Sequence, residues 1–171
     1  MANEKMKMGV KAAVYAALLW LCLAAPAAFA GAMEDGLAAY EQKDYATALR
    51  FWRPLADQGK AFAQLNLGGM YDNGRGVPQD YLQAVAWYRK AAEQVNANAQ
   101  NNLGVMYRNG QGVPEDYVQA HLWFNLAAAR FPAADVDRRK LTADNRDELA
   151  AKMTPAQIAE AQRLAREWKP E

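Results

Sequence analysis

Two stretches decide the fold: AFAQLNLGGMYDNGRGVPQDYLQAVAWYRKAAEQVN at 61–96 and ANAQNNLGVMYRNGQGVPEDYVQAHLWFNLAAARFP at 97–132. They align without a gap at a period of 36, with 20 identical positions. Ala63, Leu67, Gly68 and Tyr71 return as Ala99, Leu103, Gly104 and Tyr107. Gly74, Gly76, Val77 and Pro78 return as Gly110, Gly112, Val113 and Pro114. Asp80, Tyr81, Ala84, Trp87, Ala91 and Ala92 return as Asp116, Tyr117, Ala120, Trp123, Ala127 and Ala128. A period in the thirties points to a stacked helical array.

Each unit reads as helix, turn, helix. Ala63, Leu67 and Tyr71 recur every four residues on one face of the first helix. Gly68 lets a neighbour approach closely, at a propensity cost of about 1 kcal/mol relative to alanine. Asn73-Gly74 ends the helix, since glycine tolerates the left-handed conformation. Pro78 fixes the loop, and Asp80 is placed to cap the second helix by accepting orphan N–H bonds. Tyr81, Ala84, Trp87, Tyr88, Ala91 and Ala92 then follow at helical spacing. Large aromatics facing alanines give interdigitating layers, with Trp87 and Trp123 as core residues.

Outward from these units the pattern weakens. Asp44, Tyr45, Ala48, Phe51, Trp52 and Ala56 sit one period before Asp80, Tyr81, Ala84, Trp87, Tyr88 and Ala92, which marks a degenerate unit at about 35–60. Its glycine loop is missing, so its turn is tighter. Together these units make an array over 31–133. After it, 134–171 reads as capping helices that close the end of the core. In 135–153 Leu141 and Leu149 are the apolar anchors. Thr154-Pro155-Ala156-Gln157 combines a threonine cap, proline at the first helical position and a glutamine completing a capping box. Ile158, Ala161, Leu164, Ala165 and Trp168 follow on one face.

The first thirty residues differ again. Lys5, Lys7 and Lys11 precede an apolar run from Ala12 to Ala25, broken by Pro26 and followed by Ala28-Phe29-Ala30. This reads as a secretory leader cleaved after Ala30, and a periplasmic or secreted protein is expected. The alternative is an uncleaved anchor, since about twenty apolar residues can span a bilayer. The only cysteine, Cys22, lies within the leader behind Leu21, a poor context for lipidation. The mature chain has no thiol and forms no disulfide. No stable membrane insertion is expected after cleavage.

The whole chain carries a formal charge of +1. Without the leader, 17 basic and 18 acidic residues remain, or −1. A near-neutral surface argues against a nucleic-acid partner, which requires a basic patch to displace phosphate counterions. The apolar content argues against disorder.

The spacing Ala-x-x-x-Leu-Gly-x-x-Tyr-x-x-Gly-x-Gly-Val-Pro-x-Asp-Tyr-x-x-Ala-x-x-Trp, at 63–87 and 99–123, closely resembles the Sel-one-like repeat family, which is related in architecture to tetratricopeptide repeats. The likeness covers 61–132 strongly and 35–60 weakly. It implies an all-α, right-handed α-α solenoid and a role in protein–protein interaction, without naming a partner. Cysteine-rich secreted members carry a disulfide in each repeat; this chain lacks those cysteines, so the linkage does not transfer.

Catalytic chemistry finds little support. The mature sequence has no serine and no cysteine, which removes Ser-His-Asp and Cys-His catalysis. His121, the only histidine, takes the position of Val85 in the preceding repeat. One histidine is too little for a zinc site, and no acidic calcium-type loop is present. No metal and no cofactor are expected. Gly74-Arg75-Gly76 and Gly110-Gln111-Gly112 lack the lysine and strand of a phosphate loop. Asp144, Asp147 and Glu148 read as a solvated helix face rather than a glycosidase pair.

The remaining signal is a polar stripe. Asn66, Met70 and Asn73 on one first helix return as Asn102, Met106 and Asn109 on the next. In related solenoids the first helices line the concave surface. Asparagines there can hold an extended peptide backbone or a terminal carboxylate, or can serve only to cap loops. Asp72 and Arg108 differ between the repeats and offer selectivity. The expectation is a non-catalytic adaptor that binds a protein or peptide against Asn66, Asn73, Asn102, Asn109 and Arg108. The alternatives are an accessory subunit of, or itself, a cell-wall-acting envelope enzyme, and a structural dimerisation module.

Overall fold

A computed structural model describes residues 31–170. The expected leader, 1–30, and the expected cleavage site after Ala30 lie outside the described residues. Every described element is a helix: α1 through residues 31–41, α2 Tyr45–Asp57, α3 Ala61–Asn73, α4 Tyr81–Glu93, α5 Ala97–Asn109, α6 Tyr117–Arg130, α7 Val136–Ala150 and α8 Pro155–Glu167. The fold is an all-α solenoid. The chain forms two compact units, one up to Phe51 and one from Trp52.

In the first unit a short turn replaces the glycine loop between α1 and α2. Lys43 takes the left-handed conformation at φ 62. The N–H groups of Lys43 and Asp44 return to the carbonyls of Tyr40 and Ala39. The carboxylate of Asp44 then accepts the Thr47 N–H at 3.1 Å and caps α2. Hydrogen bonding to Thr47 holds the Asp44 carboxyl below its usual range.

In the second unit α3 packs on α4, α4 on α5, and α5 on α6, while α6 carries both α7 and α8. The loops within the two helix hairpins repeat closely. Gly74 and Gly110 end α3 and α5 at φ 64 and 65. The N–H groups of Asp80 and Asp116 close each loop on the carbonyls of Tyr71 and Tyr107, at 2.9 and 3.0 Å. Each aspartate then caps its helix by accepting the N–H of Gln83 or Gln119 at 3.0 Å. The second loop also interlocks with the first repeat. A Cβ on Gly112, at φ +70, would overlap the Tyr81 carbonyl and lie 2.9 Å from the Leu82 nitrogen.

The core has two aromatic rows. Trp52, Tyr88 and Phe124 stand one period apart and are fully buried. Tyr88 and Phe124 are seated on Gly68 and Gly104: an added Cβ would come within 2.5 Å of Tyr88 Cε1 and 2.8 Å of the Phe124 ring. The close approach expected at Gly68 is therefore an aromatic ring against helix backbone. Trp87 and Trp123 form the second row, at 6% and 7% exposure. The Lys90 ammonium lies 4.4 Å from the Trp87 ring centre. Trp123 meets Trp168 edge-on at 6.1 Å.

The C-terminal helices differ from the hairpins before them. Thr154 and Gln157 form the expected capping box. α8 packs on α6, placing Leu164, Ala165 and Trp168 against the cluster around Trp123. Leu149 of α7 is buried beside Phe124. Leu141, expected as the second anchor, is instead 61% exposed. Thr142 occupies the buried position next to it, because its hydroxyl has a partner on α5.

Candidate functional site

The five residues singled out in the sequence fall on α3 and α5 but do not form one uniform ladder. Asn73 is exposed, and its amide donates to the Gly69 carbonyl of its own helix at 2.8 Å. Asn109 is exposed, donates to Gln111 at 3.1 Å, and accepts from the Arg108 guanidinium at 3.3 Å. These two asparagines serve the helix ends. Asn66 is half-buried, and its amide nitrogen is enclosed without a hydrogen-bond partner. Asn102 is half-buried and accepts from Asn101 at 3.5 Å, the weak limit for such a bond.

Arg108 is held from the far side by α7. Its guanidinium donates to Asn145 at 3.2 Å and lies 5.8 Å from the Phe124 ring centre. Two more bonds join the same helices: the Thr142 hydroxyl donates to Asn101 at 3.1 Å, and Arg138 donates to Asn98 at 3.3 Å. One flank of the α5 polar surface is thus occupied by this chain's own α7. Asp72, the counterpart of Arg108, accepts the Tyr88 hydroxyl at 3.1 Å. Burial raises the Asp72 pKa, and that hydrogen bond opposes the rise.

A second polar row escaped the sequence reading. Gln64 and Gln100 are buried, and each donates to the last turn of the preceding second helix, at the carbonyls of Ala56 and Ala92, 3.2 and 3.0 Å away. They add a side-chain bond to carbonyls that already accept the Gly59 and Val95 N–H groups in the terminal turns. Their recurrence one period apart was the available signal. Arg53 and Arg89 likewise reach the hydroxyls of Tyr71 and Tyr107, at 3.4 and 2.9 Å.

The Sel1 repeat matches residues 25–60, 61–96 and 97–130. The chain belongs to the Sel1 repeat family. Among solved structures, this Sel1 repeat chain is similar to c5321, a protective antigen present in uropathogenic Escherichia coli strains that displays an SLR fold. The two share 33% identity over 81% of this chain at a TM-score of 0.74. It is also similar to a Sel1 repeat protein from Oxalobacter formigenes, at 30% identity over 77% of this chain and a TM-score of 0.60. The chain spans 29% of the first structure's length and 54% of the second's. No curated protein gives a significant match. Sel1 repeats are in general protein–protein interaction modules, and proteins built from them are typically non-catalytic scaffolds.

In this Sel1 array His121 is buried at 4% exposure, and its Nδ1 has no hydrogen-bond partner. Burial lowers its pKa; Arg146 lowers it further and Asp147 opposes. Among the described residues, no group of three or more His, Cys, Asp or Glu side chains is placed to hold a metal ion. No described helix is long and apolar enough to cross a membrane.

Proposed function

We propose that this chain is a non-catalytic adaptor of the cell envelope that binds a protein or peptide along the first helices of its repeats. The observation that carries the reading is the run of three tandem Sel1 repeats over 25–130. Asn66, Asn102 and Arg108 are the positions assigned to the contact. Asn73 and Asn109 contribute by shaping the helix ends. The reading includes export, with a mature N-terminus at Gly31, and a terminal role for α7 and α8 beyond the last repeat. The absence of serine and of any cysteine after Cys22 supports binding over catalysis.

The test is capture from an envelope fraction by the mature protein, followed by titration of the captured partner. Replacing Asn66 and Asn102 together by alanine is expected to weaken binding while leaving the helical circular dichroism in place. Equal affinity in the double variant would overturn the first-helix assignment. N-terminal sequencing of the exported protein is expected to begin at Gly31; an intact Met1 or a lipid-modified Cys22 would overturn the processing reading.

A further inference from the structure

A groove of about 470 Å³ runs between α6 and α7. Its floor is small and apolar: Ala128 and Ala129 from α6, with Val136 and Ala143 from α7. Its polar lining is Asn125 and three cations, Arg139, Lys140 and Arg146, with no carboxylate among the lining residues. α8 turns back onto α6, so α7 and α8 do not make the hairpin that α3–α4 and α5–α6 make. Val136 is 64% exposed.

The cations are unequally engaged. Lys140 pairs with Asp144 at 2.6 Å on the open surface. Arg146 reaches Asp147 at 2.8 Å and Asn125 at 3.4 Å. Arg139 is exposed, and its guanidinium has no ion pair or hydrogen bond among the described residues. Exposed ion pairs are worth little and exchange readily for another carboxylate. The size suits a few side chains of a bound segment, since ligand clefts start at about 300 Å³.

We propose that the α6–α7 groove docks an acidic segment of a protein partner. Small aliphatic side chains of that segment enter against Ala128, Ala129 and Ala143, and flanking carboxylates pair with Arg139, Lys140 and Arg146. The proposal rests on the protein-binding reading but uses a surface separate from Asn66 and Asn102.

The test is fluorescence anisotropy of the purified chain with a labelled peptide alternating glutamate and alanine, beside a lysine–alanine control. Binding of the acidic peptide, lost progressively with salt, is expected. Arg139→Glu with Lys140→Glu should weaken it by about tenfold or more. Ala143→Trp, which fills the floor without changing charge, should weaken it as well. Thermal melts confirm that each variant is folded. Asn66→Ala with Asn102→Ala should leave this titration unchanged. The proposal is overturned if the acidic peptide fails to bind, binds no better than the basic one, or binds the charge-reversed variant equally well. Loss of the peptide in the asparagine variant instead would move the contact to the first helices, overturning the groove while leaving the adaptor reading intact. Binding to anionic lipid vesicles but not to peptide would also overturn it.

Discussion

A methyl group at Gly68 collides with the Tyr88 ring, whereas one at neighbouring Gly69 meets only the Tyr88 hydroxyl at 3.7 Å. The two glycines therefore separate packing from propensity. Gly68→Ala and Gly104→Ala are expected to destabilise by about 1–3 kcal/mol, overpacking outweighing the helix gain. Gly69→Ala should stabilise by about 0.5–1 kcal/mol, the intrinsic preference for alanine in a helix. Thermal melts of the three variants decide it; destabilisation at Gly69 equal to that at Gly68 would contradict the ring-seating account. His121 gives a second expectation. Its folded pKa is depressed, so the unfolded chain takes up the proton first as pH falls. Its contribution is complete above the unfolded value of about 6.5 and declines as pH drops toward the folded value. His121→Val, which restores the residue found at Val85, should flatten the loss of melting temperature between about pH 7 and pH 5. A variant with an unchanged pH profile would show that another group titrates there.

Among the helix ends, the exit from α4 holds a β-branched residue in the left-handed conformation. Val95 takes φ 66, where Gly59 one period earlier takes φ 84. Both turns use the same bonds: the Val95 and Asn96 N–H groups return to Ala92 and Ala91, as those of Gly59 and Lys60 return to Ala56 and Leu55. This is the Schellman ending, which glycine suits and a β-branched residue resists. Val95→Gly is expected to raise stability by about 1 kcal/mol, the cost of holding an L-residue left-handed. Valine is 38% exposed here and loses little packing on removal. A denaturant midpoint that falls instead would show that the side chain contributes more than its strain costs.

For the array as a whole, each unit buries its apolar face only against a neighbour. Ala120 and Phe124 of the last hairpin are covered in part by Leu149, Met153 and Ala161 from the chain after Pro132. Truncation after Pro132 uncovers that cluster and removes the partners of Asn98, Asn101 and Arg108. The truncated chain is expected to lose its cooperative melt or to bind a hydrophobic dye strongly. A sharp transition near that of the full chain would show that the hairpins are stable without α7 and α8.

The period of 36, the loop glycines, the aspartate caps and the Thr154 box were legible because each depends on a few consecutive residues and on backbone geometry alone. Those signals suffice for helix–loop–helix units and for the Sel1 family. The placement of α8 on α6 was not legible, since an amphipathic helix states that it has an apolar face and not which face receives it. Leu141 shows the same gap: at helical spacing it reads as core like Leu149, yet Thr142 is inside because Asn101 on α5 accepts its hydroxyl. The asparagine stripe repeats in the sequence, but its members have different partners. Asn73 and Asn109 turn to their own helix ends, and Arg108 is taken up by Asn145. Local rules write the repeat identically each time. Which polar groups remain available depends on the neighbour across the gap, and that contact exists only once the chain has folded.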